Sequence, residues 1–168
     1  MDNIVTIENL TKSYAKKKTV LENLTFSLPA NRIIGLLGEN GVGKTTLMRM
    51  IADILKPTKG EIKIAGKTVS RRTREMVSFM LEPNELFSFM KVKHAISYFR
   101  DFYEDFDFKK AEQMCRDFNL DLNARITKLS KGNQERVCLA LCLSRQVPLY
   151  LLDEPVAGLD PKIQARFH

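Results

Sequence analysis

Polar and apolar residues alternate in the first third of the chain, and helical spacing replaces alternation later. Asn3 to Leu10 and Val20 to Leu28 read as strands, the second with Leu24, Phe26 and Leu28 alternating with Thr25 and Ser27, which predicts an antiparallel sheet with one wet face. Lys16, Lys17 and Lys18 form a charged turn between them, and Pro29-Ala30-Asn31 turns the chain into the apolar run Arg32 to Leu37, expected as a buried strand. Leu47 to Leu55 then has helical spacing. Lys56-Pro57-Thr58-Lys59-Gly60 is a stop, Glu61 to Gly66 resumes strand alternation, and Val77 to Leu81 is a further short strand. Beyond Pro83 the period becomes helical: Val92, Ala95, Ile96, Phe99, Phe102 and Tyr103 form one stripe, and Phe108, Ala111, Met114, Cys115 and Phe118 a second. These aromatic stripes read as the core of a helical subdomain. Val147 to Leu152 is an almost unbroken apolar run closed by Asp153 and Glu154, as expected of a central parallel strand buried on both faces. The chain therefore reads as one α/β domain over 1–168, with a core at about 1–82 and 133–168 and a helical insert at about 83–132.

Chemistry enters between the expected strand at Arg32 and the helix at Leu47. Gly38-Glu39-Asn40-Gly41-Val42-Gly43-Lys44-Thr45-Thr46 satisfies the phosphate-loop pattern G-x-x-x-x-G-K-[ST], in the strand-loop-helix setting the motif needs. Gly38, Gly41 and Gly43 let successive N–H groups, with that of Asn40 among them, curl around phosphate oxygens. The helix that follows aims its positive dipole end at the same anion. Lys44 pairs with the β- and γ-phosphates in such a site, Thr45 offers its hydroxyl to Mg²⁺, and Thr46 bonds a phosphate nearer the sugar. The motif predicts bound ATP or another nucleoside triphosphate with Mg²⁺.

Composition narrows this without redirecting it. The 168 residues, 44% of them hydrophobic, suffice for one globular domain and are too few for two. Lys and Arg outnumber Asp and Glu by 27 to 20, which suits acidic partners such as phosphates, an anionic membrane surface or nucleic acid without choosing among them, and a soluble lysine-rich surface is the more ordinary explanation of the excess. Cys115, Cys138 and Cys142 sit in helical segments without C-x-x-C spacing, which argues against a disulfide framework or a zinc site and fits a reducing cytosol. His94 stands alone on a helix, away from any metal-ligand spacing. No signal-peptide pattern opens the chain and no window of 18 apolar residues occurs, so a membrane role is expected through a partner.

Asp153 and Glu154, two carboxylates at the end of an apolar strand, are what phosphate-loop NTPases use to complete the site: Asp153 for Mg²⁺ and Glu154 to orient or deprotonate the attacking water. Glu154-Pro155-Val156-Ala157-Gly158-Leu159-Asp160 and Leu129-Ser130-Lys131-Gly132-Asn133-Gln134-Glu135-Arg136 extend the match. With the phosphate loop in that order and spacing, the chain from about Asn3 to Phe167 resembles the ATP-binding subunit of an ATP-binding-cassette (ABC) transporter, C-terminally incomplete.

The resemblance implies a phosphate-loop NTPase core with an N-terminal antiparallel β-subdomain and an inserted α-helical subdomain. It implies that Tyr14 stacks on adenine, that Ser130 and Gly132 of the signature peptide bind the γ-phosphate of ATP held by the opposite subunit, and that Asp160 communicates between the facing sites. Lys131 stands where the signature usually has its first glycine, Asn133 where it has glutamine, and Glu82 where the family usually has a glutamine that touches Mg²⁺. His168 lies 14 positions after Glu154, too near to be the family's γ-phosphate histidine, so two readings stay open: a fragment of a longer subunit, or a cassette whose remainder comes from elsewhere; either way these 168 residues are expected to be short of turnover by themselves. The implied function is ATP hydrolysis coupled to transport, in a head-to-tail homodimer or with a related ATPase subunit. The implied partner is an integral membrane transport subunit, contacted by Phe87 and Phe89 at the cytoplasmic face, and no nucleic acid is expected. Two alternatives remain: a soluble ABC ATPase acting on nucleic acid or ribosomes, and an ATP-gated dimerisation module with little turnover.

Overall fold

The computed structural model describes residues 3–14, 18–80 and 89–153, which divide into two compact units, Met1–Val77 and Ser78–His168. The first unit is built on a four-stranded antiparallel sheet in the order β2-β1-β3-β4, from β1 (Asn3–Tyr14), β2 (Lys18–Pro29), β3 (Lys59–Ile64) and β4 (Lys67–Thr68). Its core face follows from alternation: Val5 lies opposite Ile64 and Ile7 opposite Ile62, and all four are buried. Both long strands outrun the alternating stretches that announce them. Asn9 and Asn23 adopt left-handed backbone (φ 49° and 47°), absorbing irregularities in the β1–β2 register, and threonine hydroxyls cover the displaced amides: Asn9 N donates to Thr25 Oγ1 (2.9 Å) and Asn23 N to Thr11 Oγ1 (3.1 Å).

Helix α1 (Lys44–Ile51) packs on β3 through an apolar stripe that includes Leu47, Met50 and Ile51. Gly60 holds the start of β3 against β1. It has φ +83°, and a Cβ there would stand 2.4 Å from the Asn9 carbonyl oxygen, so only glycine fits.

The second unit packs α2 (Val92–Phe102), α3 (Phe108–Asp117) and α4 (Lys131–Leu143) around one another. The stripes read from the sequence supply much of the core: Val92, Ala95, Ile96, Phe99, Ala111, Cys115 and Phe118 are buried together with Val137 to Cys142 of α4. Arg145, 5% exposed, follows α4; its guanidinium makes two bonds to the Asp105 carboxylate (2.8 and 2.6 Å) and lies 3.9 Å from the centre of the Tyr103 ring. A two-stranded sheet pairs β5 (Val77–Phe79), of which Ser78 and Phe79 belong to this unit, with β6 (Leu149–Leu151), extended where Met80 N donates to Leu151 O.

Two expected strands need correction. Arg32 to Leu37 belongs to no strand and is exposed, with Ile33 at 86% and Leu37 at 92%. The Val147 run forms only the three residues of β6, with Tyr150 36% exposed rather than buried on both faces. The reason is the same in both places: an apolar run becomes a buried strand only where neighbouring strands pair with it, and among the described residues Arg32 to Leu37 has no such neighbour and β6 has one. No helix of the described residues is long and apolar enough to cross a membrane.

Candidate functional site

In the first unit the phosphate-loop motif and the start of α1 form one continuous piece. Gly43 is the N-cap of α1 in left-handed conformation (φ 106°), and a Cβ there would meet Leu21 Cδ2 at 2.8 Å and Val20 Cγ1 at 3.0 Å. Glycine therefore satisfies both backbone and packing at the point where loop becomes helix. The first intrahelical bond runs from Leu47 N to Gly43 O (2.9 Å), so the amino end of α1 points into the loop with its positive dipole end. No acidic side chain occupies that first turn. Lys44 folds back across the loop and donates from Nζ to the carbonyls of Gly38 (2.7 Å) and Glu39 (2.9 Å). Gly38, Asn40, Gly41, Gly43, Lys44, Thr45 and Thr46 thus lie in one continuous loop and first helical turn, with the Lys44 ammonium fixed across the loop.

The carboxyl end of α1 is held by a buried charge. Asp53, 3% exposed and in left-handed backbone (φ 57°), accepts from Arg74 Nε (2.9 Å) and from Lys56 Nζ, while Arg74 Nη2 also bonds the Asp53 carbonyl (3.0 Å). Burial by itself raises the carboxyl pKa, but the bonds from Lys56 and Arg74 and their positive charges outweigh it and hold the group below its ordinary value of 3.8.

Tyr14 closes β1 and is 43% exposed. The Lys12 ammonium lies 5.1 Å from its ring centre and donates to the Lys56 carbonyl (2.7 Å), in the turn that follows α1. Lys12 belongs to no sequence motif, although two residues apart on a strand is the spacing that puts side chains on one face.

In the second unit Ser130 caps α4, its Oγ accepting from Asn133 N (3.3 Å), and Lys131 and Gly132 are the first two residues of the helix. The accepting oxygen of Ser130 keeps its own proton for a further bond. Gln134, another residue given no role from sequence, fixes the approach to this cap: its amide donates to the carbonyls of Ile126 and Leu129, both at 3.1 Å. The result is a second helix amino end, with a hydroxyl and the Lys131 cation beside it. Asp153 lies two residues beyond β6, half-buried. Glu154, Glu82, Asp160, Phe87 and His168 lie outside the described residues. Phe89 is described and 73% exposed.

An α/β phosphate-loop fold with a capped helix, here α4, that starts in the signature peptide defines a class of nucleotide-binding cassettes. The chain belongs to the ABC transporter family, whose model matches residues 21–157. It is 32% identical over 163 residues to the ABC transporter ATP-binding protein YhaQ of Bacillus subtilis (strain 168), a match that covers 94% of this chain and 54% of the relative. Among solved structures it superposes on the ATP-binding subunit of an ABC transporter with TM-score 0.82 at 26% identity, covering 96% of this chain and 71% of that one. It superposes on cbiO1 of Clostridium perfringens, part of the ABC transporter complex cbiONQ, with TM-score 0.76 at 28% identity, covering 99% and 71%. The chain spans a little over half the length of the curated relatives it matches, 54% to 58% for the first three.

Proposed function

We propose that this protein binds MgATP and hydrolyses it to drive transport through an integral membrane subunit, working as a head-to-tail dimer with a second copy or a related ATPase subunit. The observation that carries this is the Gly38–Thr46 loop at the amino end of α1, with Lys44 Nζ fixed over it by two carbonyls. On ATP binding Lys44 exchanges those carbonyls for β- and γ-phosphate oxygens, and the loop N–H groups take the remainder of the charge. Gly38, Asn40, Gly41, Gly43, Thr45 and Thr46 complete the cradle, and Tyr14 receives the adenine ring. Thr45 and Asp153 are hard oxygen donors of the kind Mg²⁺ accepts, with Glu82 a third; the ion would neutralise charge on the transferring phosphate. Glu154 serves as the base toward the attacking water.

Ser130 and Gly132 sit at the capped start of α4, a hydroxyl and a helix end suited to the γ-phosphate of ATP held by the opposite subunit. Each site then needs both subunits, and Asp160 links them. Residues 1–168 act as one ATP-binding domain, with the 83–132 insert presenting the signature peptide. The exposed Phe89, with Phe87, meets the membrane subunit, so the protein works peripherally on the inner face of the membrane. The similarity to cbiO1, itself part of a transporter complex, supports a membrane partner of this kind.

The test is calorimetric ATP titration and phosphate release with the protein and its Glu154→Gln and Lys44→Ala variants. Glu154→Gln is expected to keep ATP binding and, in the complete protein, to lose turnover and accumulate an ATP-bound dimer; Lys44→Ala is expected to lose binding itself. Undiminished turnover in Glu154→Gln removes the base assignment, and unchanged affinity in Lys44→Ala removes the phosphate-loop reading.

A further inference from the structure

We infer that Lys12 is a positioning residue for the base of the nucleotide: it backs one face of the Tyr14 ring so that the other face is held ready for an aromatic heterocycle. This rests on the MgATP reading above. Three sets of contacts define the arrangement. Lys12 Nζ stands 5.1 Å from the centre of the Tyr14 ring, within reach of the ring's negative face. The same ammonium donates to the Lys56 carbonyl at 2.7 Å, which anchors it a second time. The main chain on either side is tied to the same turn, Thr58 N donating to Thr11 O (2.9 Å) and Ser13 N to Thr58 Oγ1 (3.0 Å). Lys12 is therefore not a loosely solvated lysine; it joins the end of β1 to the turn after α1, the helix whose other end is the phosphate loop.

The physical consequence concerns only the base. A tyrosine 43% exposed at a strand end samples several ring orientations in water unless something limits it. A cation held against one face restricts the ring and covers that face, so an incoming purine meets a pre-oriented platform and loses less freedom on stacking. The two groups that hold the Lys12 ammonium, the ring and the Lys56 carbonyl, both lie outside the loop that cradles the phosphates. Lys12 thus acts through Tyr14, and its influence disappears when either the base or the ring is removed.

That dependence gives the experiment. Calorimetric affinities are measured for MgATP and for magnesium tripolyphosphate with the protein, Lys12→Ala, Lys12→Arg, Tyr14→Ala and the double variant Lys12→Ala/Tyr14→Ala, each checked for unchanged far-UV circular dichroism. Lys12→Ala is expected to weaken MgATP about three- to fivefold, the range an exposed cation–ring contact supports, and to leave tripolyphosphate unchanged. Lys12→Arg is expected to restore ATP affinity, and Lys12→Ala to have no further effect once Tyr14 is alanine. Equal weakening of both ligands would overturn the inference by making Lys12 a general cation for the phosphates, and so would unchanged ATP affinity in Lys12→Ala. Failure of the unmodified protein to bind MgATP would instead overturn the nucleotide reading and this inference with it.

Discussion

Asp53 offers the sharpest test of how α1 is held. A residue one step beyond a helix C-cap in left-handed backbone is most often glycine, because a Cβ there costs about 1 kcal/mol. Here an aspartate takes the position at φ 57° and buries a carboxylate that is 2% exposed. What compensates is its pairing with Lys56 and Arg74, side chains that are themselves 69% and 54% exposed. Charge-assisted bonds of this kind contribute about 1.5 to 3 kcal/mol when dry. With both cations more than half in water, screening brings each nearer to about 1 kcal/mol. Asp53→Ala removes both bonds and keeps the backbone cost, so it is expected to destabilise by about 2 kcal/mol. Asp53→Gly removes the same bonds but relieves the left-handed backbone, and it is expected to lose only about 1 kcal/mol.

Urea unfolding followed by far-UV circular dichroism reads both values, with the slope of the transition unchanged. The pH dependence follows from the depressed carboxyl pKa. Stability from this group is fully present above the unfolded carboxyl value, near 4, and is lost as the pH falls through that value toward the folded one. The gap between the protein and Asp53→Ala should therefore narrow below about pH 4. Two results would refute this account of the helix end: Asp53→Ala within about 0.5 kcal/mol of the protein at pH 7, or Asp53→Gly as the less stable of the two variants.

Gly60→Ala is expected to destabilise by about 2 kcal/mol or more, since its Cβ would lie 2.4 Å from a backbone oxygen that cannot move without breaking the β1–β3 ladder; urea midpoints check this. Burial, with the Glu112 charge adding to it, pushes the Cys115 thiol up to about 12, and burial pushes Cys142 to about 11, so neither should be alkylated by iodoacetamide at pH 8 until urea unfolds the chain. Mass spectrometry of the folded protein reads that directly, and rapid labelling at either site would contradict the packing of the helical unit. Arg145→Met, which strands the Asp105 carboxylate and empties the face of Tyr103, is expected to cost about 3 kcal/mol, measured as a shifted thermal midpoint; a shift of under a degree would show the pair to be dispensable.

What the sequence makes legible is local. Gly38 to Thr46 declares itself as a phosphate-loop pattern because that pattern asks for particular residues at consecutive positions, whereas Ser130 with Gly132 stands out only through the resemblance to the family's signature peptide. The helical stripes of Val92 to Tyr103 and Phe108 to Phe118 are legible because each face is set within its own helix. Arg32 to Leu37 misleads because its burial depends on strands supplied from elsewhere, which no window of sequence contains. The full lengths of β1 and β2 are hidden by Asn9 and Asn23, whose left-handed turns interrupt the alternation without ending the strands. Lys12 and Arg74 are silent for a different reason: the Lys56 carbonyl that anchors Lys12 and the Asp53 carboxylate that pairs with Arg74 lie 44 and 21 residues away, and a lone cation on a surface pattern carries no mark of where it points.

Those two silent contacts meet at one place, and their meeting explains how so short a helix can keep its position. Eight residues are too few for α1 to be stable by propensity, so its geometry must come from what grips it. Its apolar stripe rests on β3, its amino end is fitted through Gly43 against Val20 and Leu21, and its carboxyl end is gripped by the turn from Asp53 to Lys56. Lys56 gives its ammonium to Asp53 and its carbonyl to Lys12, so one residue joins the clamp on the helix to the cation beside Tyr14. The phosphate loop and the aromatic ring are thereby tied to the two ends of one short segment, the helix and the turn that follows it. A nucleotide that engages Lys44 through its phosphates and Tyr14 through its base would bridge two groups whose separation this segment has already set, and the affinity of the pair then depends on the rigidity of residues that touch neither phosphate nor base.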